Sequence, residues 1–326
     1  MKRVVQLSLI VSCLMSLQSI AADERLAPCD VLTGGVLVAP HQILVVGIRG
    51  QILSKSLANA NDDCGIVVNN GWQVAGSAQG QWTGLKSVGA DHWMLGHRQA
   101  LYQAQADMSW QRRHWVADSD YALMDITYAH ELGRYLAVGT RGVYLTSEDG
   151  GQSWLPQDLY LDPEWDEPED FNLNAIVALG DRKLLVVGEA GALYWSKDGD
   201  EWRKDHAGYD GTWFGATGLA DGGVVTFGFA GHVAFSRGYR KDWTVVQGPA
   251  RATLFASLAL DDGSVLLAGE RGVLWRWSPY TDQFAVITTN TQATITALLL
   301  SQVAGQQQLL LITDRGLKRI AYPHGG

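Results

Sequence analysis

Arginine is the chemically capable residue placed most regularly in this 326-residue chain. It stands two positions after a recurring glycine as Arg49, Arg98, Arg141 and Arg271, and again as Arg315 after Thr313, while Ala190 and Ala230 fill the same place in two further copies. A guanidinium offers a rigid fork of donors that matches a carboxylate or phosphate, so five of them on one surface would read an anionic partner. The same side chains can equally bond carbonyls and acids of their own surface and tie neighbouring units together. A second recurring set is Ser147, Asp149, Gly151 and Trp154, repeated one residue shorter as Ser196, Asp198 and Trp202. Here the acid is suited to accept turn amides, each bond worth about 1 kcal/mol net. A tryptophan buried beneath covers roughly 150–250 Å², or roughly 4–6 kcal/mol at most.

The elements that would carry these residues are short strands. Leu136–Val138 and Val143–Thr146 are apolar runs around a glycine turn, and Glu148–Gly151 is a second turn leading to Trp154. Aligning the glycine that ends each second strand gives Gly47, Gly96, Gly139, Gly188, Gly228 and Gly269, with Thr313 last, at spacings of 49, 43, 49, 40, 41 and 44. That period is the period of propeller blades, so the chain is expected to be all-β, a seven-bladed β-propeller. The last unit stops before an outer strand, and Gly35–Val38 reads as the inner strand of the first. Arg25 to Leu32 is therefore expected to close the ring as the outer strand of blade seven, because an open edge invites aggregation. Blades seven and one being neighbours, the five arginines form an unbroken arc over blades six, seven, one, two and three. Glu189 and an acidic excursion border the gap at blades four and five.

That excursion carries Asp162, Glu164, Asp166, Glu167, Glu169 and Asp170 between two units. It reads as a solvated loop with a secondary capacity for a basic peptide, and it lacks the turn glycine a calcium loop needs. Scattered histidines, including His92 and His97, have no metal-site company, so neither a metal nor a cofactor is expected. Trp82, Trp93, Trp213, Trp275 and Trp277 recur at strand period, which suits packing between blades better than a sugar cleft. No nucleophile elbow, phosphate loop or paired acids stand out, and no catalytic residue is assigned.

Lys2 and Arg3, the apolar run 4–17 and Ala21 have the three parts of a secretory signal, giving a signal peptide 1–21 and one domain 22–326. Cys13 offers a lipid-anchored alternative. Periplasmic export suits Cys29 and Cys64 as a disulfide candidate worth about 4 kcal/mol by loop entropy. The formal charge of −9 argues against nucleic-acid binding, which needs a basic face.

The run from Val138 to Trp154 matches an Asp box, or BNR repeat, and resembles the photosystem II assembly and stability factor family. The resemblance implies an exported seven-bladed propeller that acts without catalysis. It also implies a scaffold for a membrane-complex subunit, peripheral to the membrane and monomeric, with the arginine arc as the partner-binding site. The alternative is a carbohydrate-active propeller of the sialidase or xyloglucanase kind, since Asp boxes occur there too.

Overall fold

A computed structural model describes residues 31–39, 41–57, 72–77, 80–159, 171–303 and 305–322. They form seven antiparallel sheets in chain order. The inner strands are Leu32–Ala39, Trp82–Val88, Leu123–Ala129, Leu173–Leu179, Trp213–Gly218, Leu254–Ala259 and Ile295–Val303. Each blade is a simple meander outward from its inner strand. The second strands are nearly continuous apolar runs, such as Lys183–Gly188 and Val265–Gly269, with almost every residue buried. A strand hidden on both faces needs no polar alternation, and here both faces are covered by the neighbouring blades.

Seven hydrophobic clusters account for seven blade interfaces. Six join consecutive blades. The seventh joins blade seven to blade one through Leu310, Ile312 and Leu317 against Leu32, Ile43, Val45, Leu53 and Leu57. The ring is therefore closed by side-chain packing. Polar ties reinforce it: Thr296 Oγ1 donates to the Leu32 carbonyl at 3.0 Å, and Arg319 Nη1 donates to the Leu57 carbonyl at 3.0 Å.

Blade seven has three described strands, the third being Gly316–Ala321. Leu32 begins the inner strand of blade one, which corrects its expected place in the outer strand of blade seven. Residues 25–30 lie outside the described residues, as do the signal segment, Cys13, Cys29 and Cys64. Gly35–Val38 does form the inner strand expected of it.

Every inner strand has a break in register after its first residue. A bulge turns the extra residue out of the ladder. In three blades the bulged side chain crosses to the first inner-strand carbonyl of the next blade: Thr83 to Leu123, Asn174 to Trp213 at 2.8 Å, and Thr296 to Leu32. Two residues after the first, the inner strands carry Gly34, Gly84, Asp125, Ala175, Gly215, Ala256 and Ala297. At Gly34 the small residue is required, since a Cβ there would sit 2.4 Å from the backbone nitrogen of Leu85 in the next blade. Asp125 is the exception. Its carboxylate accepts Lys86 Nζ of blade two at 2.5 Å, its neighbour's Ile126 N–H at 2.9 Å and the Ile176 N–H of blade four at 3.0 Å, joining three inner strands.

Candidate functional site

One end of each meander carries the turn between second and third strands together with the start of the inner strand. A single device shapes this end in all seven blades. The residue after the aligned position donates its N–H to the carbonyl just before the inner strand: Ile48 to Val31, His97 to Gln81, Thr140 to Ala122, Glu189 to Asn172, Phe229 to Thr212, Glu270 to Thr253 and Asp314 to Thr294. That latch explains the recurring glycine. A Cβ on Gly139 would lie 2.1 Å from the Ala122 oxygen, and on Gly269 1.9 Å from the Thr253 oxygen. Four blades close the latch from the other side. Thr140 Oγ1, Glu189 Oε2, Glu270 Oε2 and Asp314 Oδ1 accept the Ala122, Asn172, Thr253 and Thr294 amides at 2.9, 3.2, 2.9 and 2.9 Å.

The next residue in each turn is the one singled out for its type. Arg98, Arg141, Ala190, Ala230 and Arg271 adopt the left-handed conformation, with φ between 52° and 59°. Such a turn bends the chain away from the latch and leaves its side chain at the rim. Arg49, Arg98, Arg141, Arg271 and Arg315 are all exposed. Since equivalent turns of a propeller share one end, the structure brings the five to the same face. Their heads are not equivalent. Arg141 stacks over the Tyr121 ring at 5.5 Å, and Arg271 Nη2 donates to the Arg251 carbonyl at 3.1 Å. Arg271 also borders an open cleft of about 480 Å³ with Val286 and Thr288–Gln292.

The gap in the arc is aromatic. Phe229 is 44% exposed, and Tyr209 stacks on His232 with ring centroids 4.1 Å apart. The Tyr209 hydroxyl donates to the Phe229 carbonyl at 3.0 Å, and burial pushes the phenol pKa up to about 12. Glu189, in the blade-four turn at this gap, accepts both the Asn172 amide and its Nδ2 on its carboxylate. Asp162, Glu164, Asp166, Glu167, Glu169 and Asp170 lie outside the described residues.

The Asp boxes sit at the opposite end. Asp149 Oδ1 accepts the Ser147 hydroxyl and the Gln152 and Ser153 amides, each at 2.9 Å, while Ser147 Oγ accepts the Gly151 amide at 3.0 Å. Bonds from Ser153, then Ser147 and Gln152, hold the Asp149 pKa down to about 2. Trp154 Nε1 donates to the Gly151 carbonyl at 3.1 Å, and its ring packs edge-on against Trp93 of blade two at 5.6 Å. The shorter box works alike: Asp198 accepts Ser196, Asp200 and Glu201, and Trp202 packs edge-on to Tyr144 of the preceding blade. In blade five, which has Gly238 in place of the acid, Ser236 Oγ bonds the Gly238 and Lys241 carbonyls instead.

Trp82, Trp93, Trp213, Trp275 and Trp277 are fully buried between blades and cannot line a sugar cleft. His92 pairs with Ser87 at 2.8 Å, and burial lowers the pKa of both His92 and His97. Among the described residues no group of three His, Cys, Asp or Glu side chains is spaced to hold a metal ion, and no helix is long and apolar enough to cross a membrane. Sequence reasoning missed the exposed Trp115 and Phe229. Trp115 lies outside the repeat, and Phe229 occupies the latch position after Gly228, where the part played by the backbone N–H gives no sign of the side chain's exposure.

No family model matches the chain. It is 30% identical over 153 residues to the photosystem II stability/assembly factor HCF136, chloroplastic, of Arabidopsis thaliana. The match takes in 44% of this chain and 36% of that protein, about a third of the relative's length. Among solved structures, the WD40 propeller domain of Doa1 superposes with TM-score 0.68 at 11% identity, over 90% of this chain and 94% of that one. YCF48 bound to D1 peptide superposes with TM-score 0.65 at 12% identity, over 95% and 100%. YCF48 from Cyanidioschyzon merolae gives 0.65 at 13%, over 92% and 98%. The chain is thus a seven-bladed β-propeller that resembles the photosystem II assembly and stability factors.

Proposed function

We propose that this protein is an exported, non-catalytic propeller that grips a segment of a protein partner through its arginine end, helping a membrane-associated complex to assemble or persist. The observation that carries the reading is the set of five exposed arginines, Arg49, Arg98, Arg141, Arg271 and Arg315, in equivalent turns of five adjacent blades. Guanidinium groups held on a rigid rim lose little freedom on meeting carboxylates, so the scaffold itself favours binding. Two of the relatives support a protein partner: one is named a stability and assembly factor, and the other was solved with a peptide bound. In this reading residues 1–21 direct export, residues 22–326 are one domain, and the protein works as a periplasmic monomer peripheral to the membrane.

Crosslinking of tagged protein in its native envelope tests the reading, beside a variant with Arg141, Arg271 and Arg315 changed to Glu. The expected result is a discrete membrane-protein partner captured by the wild type and lost in the variant at unchanged melting temperature. Equal capture by both would remove the arginine end from the interaction.

A further inference from the structure

Blade two departs from the turn pattern, and the departure builds a surface. Its turn places two consecutive non-glycine residues, Arg98 and Gln99, in the left-handed region with φ of 59° and 52°. Other blades use glycine at the second of these positions, as at Gly142 and Gly272. The strained pair is held by the connection to blade three. Val116 N donates to the Arg98 carbonyl at 2.9 Å, Gln99 N donates to the Tyr121 carbonyl at 2.9 Å, and Gln99 Nε2 donates to Ser119 Oγ at 3.2 Å. Backbone strain of this kind persists only where the surroundings over-determine it.

The clamp fixes Trp115 and Val116 beside Arg98, and both remain in solvent, 40% and 37% exposed. One face of the Trp115 ring lies under the Arg112 guanidinium at 5.0 Å. Arg141 over Tyr121 closes the far side of the same connection. Arg98 and Arg112 thus stand beside an exposed apolar pair, while Arg141 is held on Tyr121 later in the same connection, which also carries the exposed Asp118 and Asp120. Tryptophan and arginine on a rigid support are the residues that carry most binding energy at interfaces. A cation–π contact orients a guanidinium without consuming its N–H donors.

We propose that the Trp115–Val116 shelf is the apolar anchor of the arginine end, taking one aliphatic side chain of an extended acidic segment whose flanking carboxylates meet Arg98 and Arg112. The proposal rests on the reading of that end as a protein-binding face. In an extended strand, residues two apart lie on one side about 7 Å from each other. A carboxylate two residues before and two after the aliphatic one therefore points to the same side of the segment as it does.

The test uses rhodamine-labelled peptides with the core Glu-Ser-Leu-Ser-Glu, the same core with Ala for Leu, and the same with Lys for both Glu, titrated by fluorescence anisotropy. The leucine peptide is expected to bind roughly fivefold to tenfold tighter than the alanine peptide, from partial burial of one side chain. The lysine peptide is expected not to bind. Trp115→Ala should abolish the leucine preference, and Val116→Ser should reduce it. Arg98→Ala should weaken both acidic peptides and leave their ratio intact. A Trp115→Ala protein of unchanged melting temperature that keeps the full preference overturns the proposal. So does absence of binding by any peptide when the arginine-dependent envelope crosslink persists, an outcome that leaves the face standing and removes the shelf. If the peptides discriminate as expected but the crosslink survives the arginine changes, the shelf stands and the arc falls.

Discussion

Replacing Asp125 by Ala removes the one acid found at the small-residue position of the inner strands. Asp125 is 8% exposed, and its carboxylate holds the buried Ile126 and Ile176 amides at 2.9 and 3.0 Å. Each amide left without an acceptor costs about 1–1.5 kcal/mol toward the low end of the usual range. The Lys86 ion pair adds little, because that side chain is 41% exposed and water screens it, so about 0–1 kcal/mol is assigned to it. Asp125→Ala should therefore destabilise the protein by about 2–4 kcal/mol, and Lys86→Met by about 0–1 kcal/mol. Asp125→Asn keeps one oxygen acceptor and should fall between them. Urea unfolding of the three variants and the wild type gives the ranking, and hydrogen exchange at the Ile126 and Ile176 amides gives the cause. If Asp125→Ala cost no more than Lys86→Met, the argument that backbone amides across three blades carry the effect would be refuted.

Further outcomes follow from the boxes and the closure. The Asp149 pKa is depressed to about 2, so its contribution is present above the unfolded carboxylate value near 4 and is lost as pH falls through about 2. Asp149→Asn should flatten the acid limb of the stability curve in that window, read by thermal melts from pH 5 to pH 2. Trp154→Ala empties a buried site between blades two and three and should cost about 3–5 kcal/mol by urea unfolding, with a near-ultraviolet circular dichroism change from the loss of its contact with Trp93. A cost below about 1 kcal/mol would contradict its role as the anchor. Thr296→Val removes the hydroxyl that joins blade seven to the Leu32 carbonyl and should cost about 1 kcal/mol, with faster exchange across the seam between the first and last blades.

Much of the architecture was legible because each blade is a local object. Apolar runs, glycine turns and box residues recur every forty to fifty positions, and strand pairing within a meander joins neighbours in the chain, so Gly139, Asp149 and Trp154 announced their geometry. Resemblance could also be read from Val138 to Trp154, the least degraded copy. What lies between blades was not legible, because the partners are separated by a whole repeat. That Asp125 reaches Ile176 and that Thr296 meets Leu32 depend on which side chains the closed ring brings together. The same holds at the arginine end. Sequence spacing put five arginines in equivalent turns. The connections entering or leaving each blade then decided their heads: Arg141 against Tyr121, Arg271 tied to Arg251, and Arg98 set beside an exposed Trp115 by a clamp drawn from the next connection.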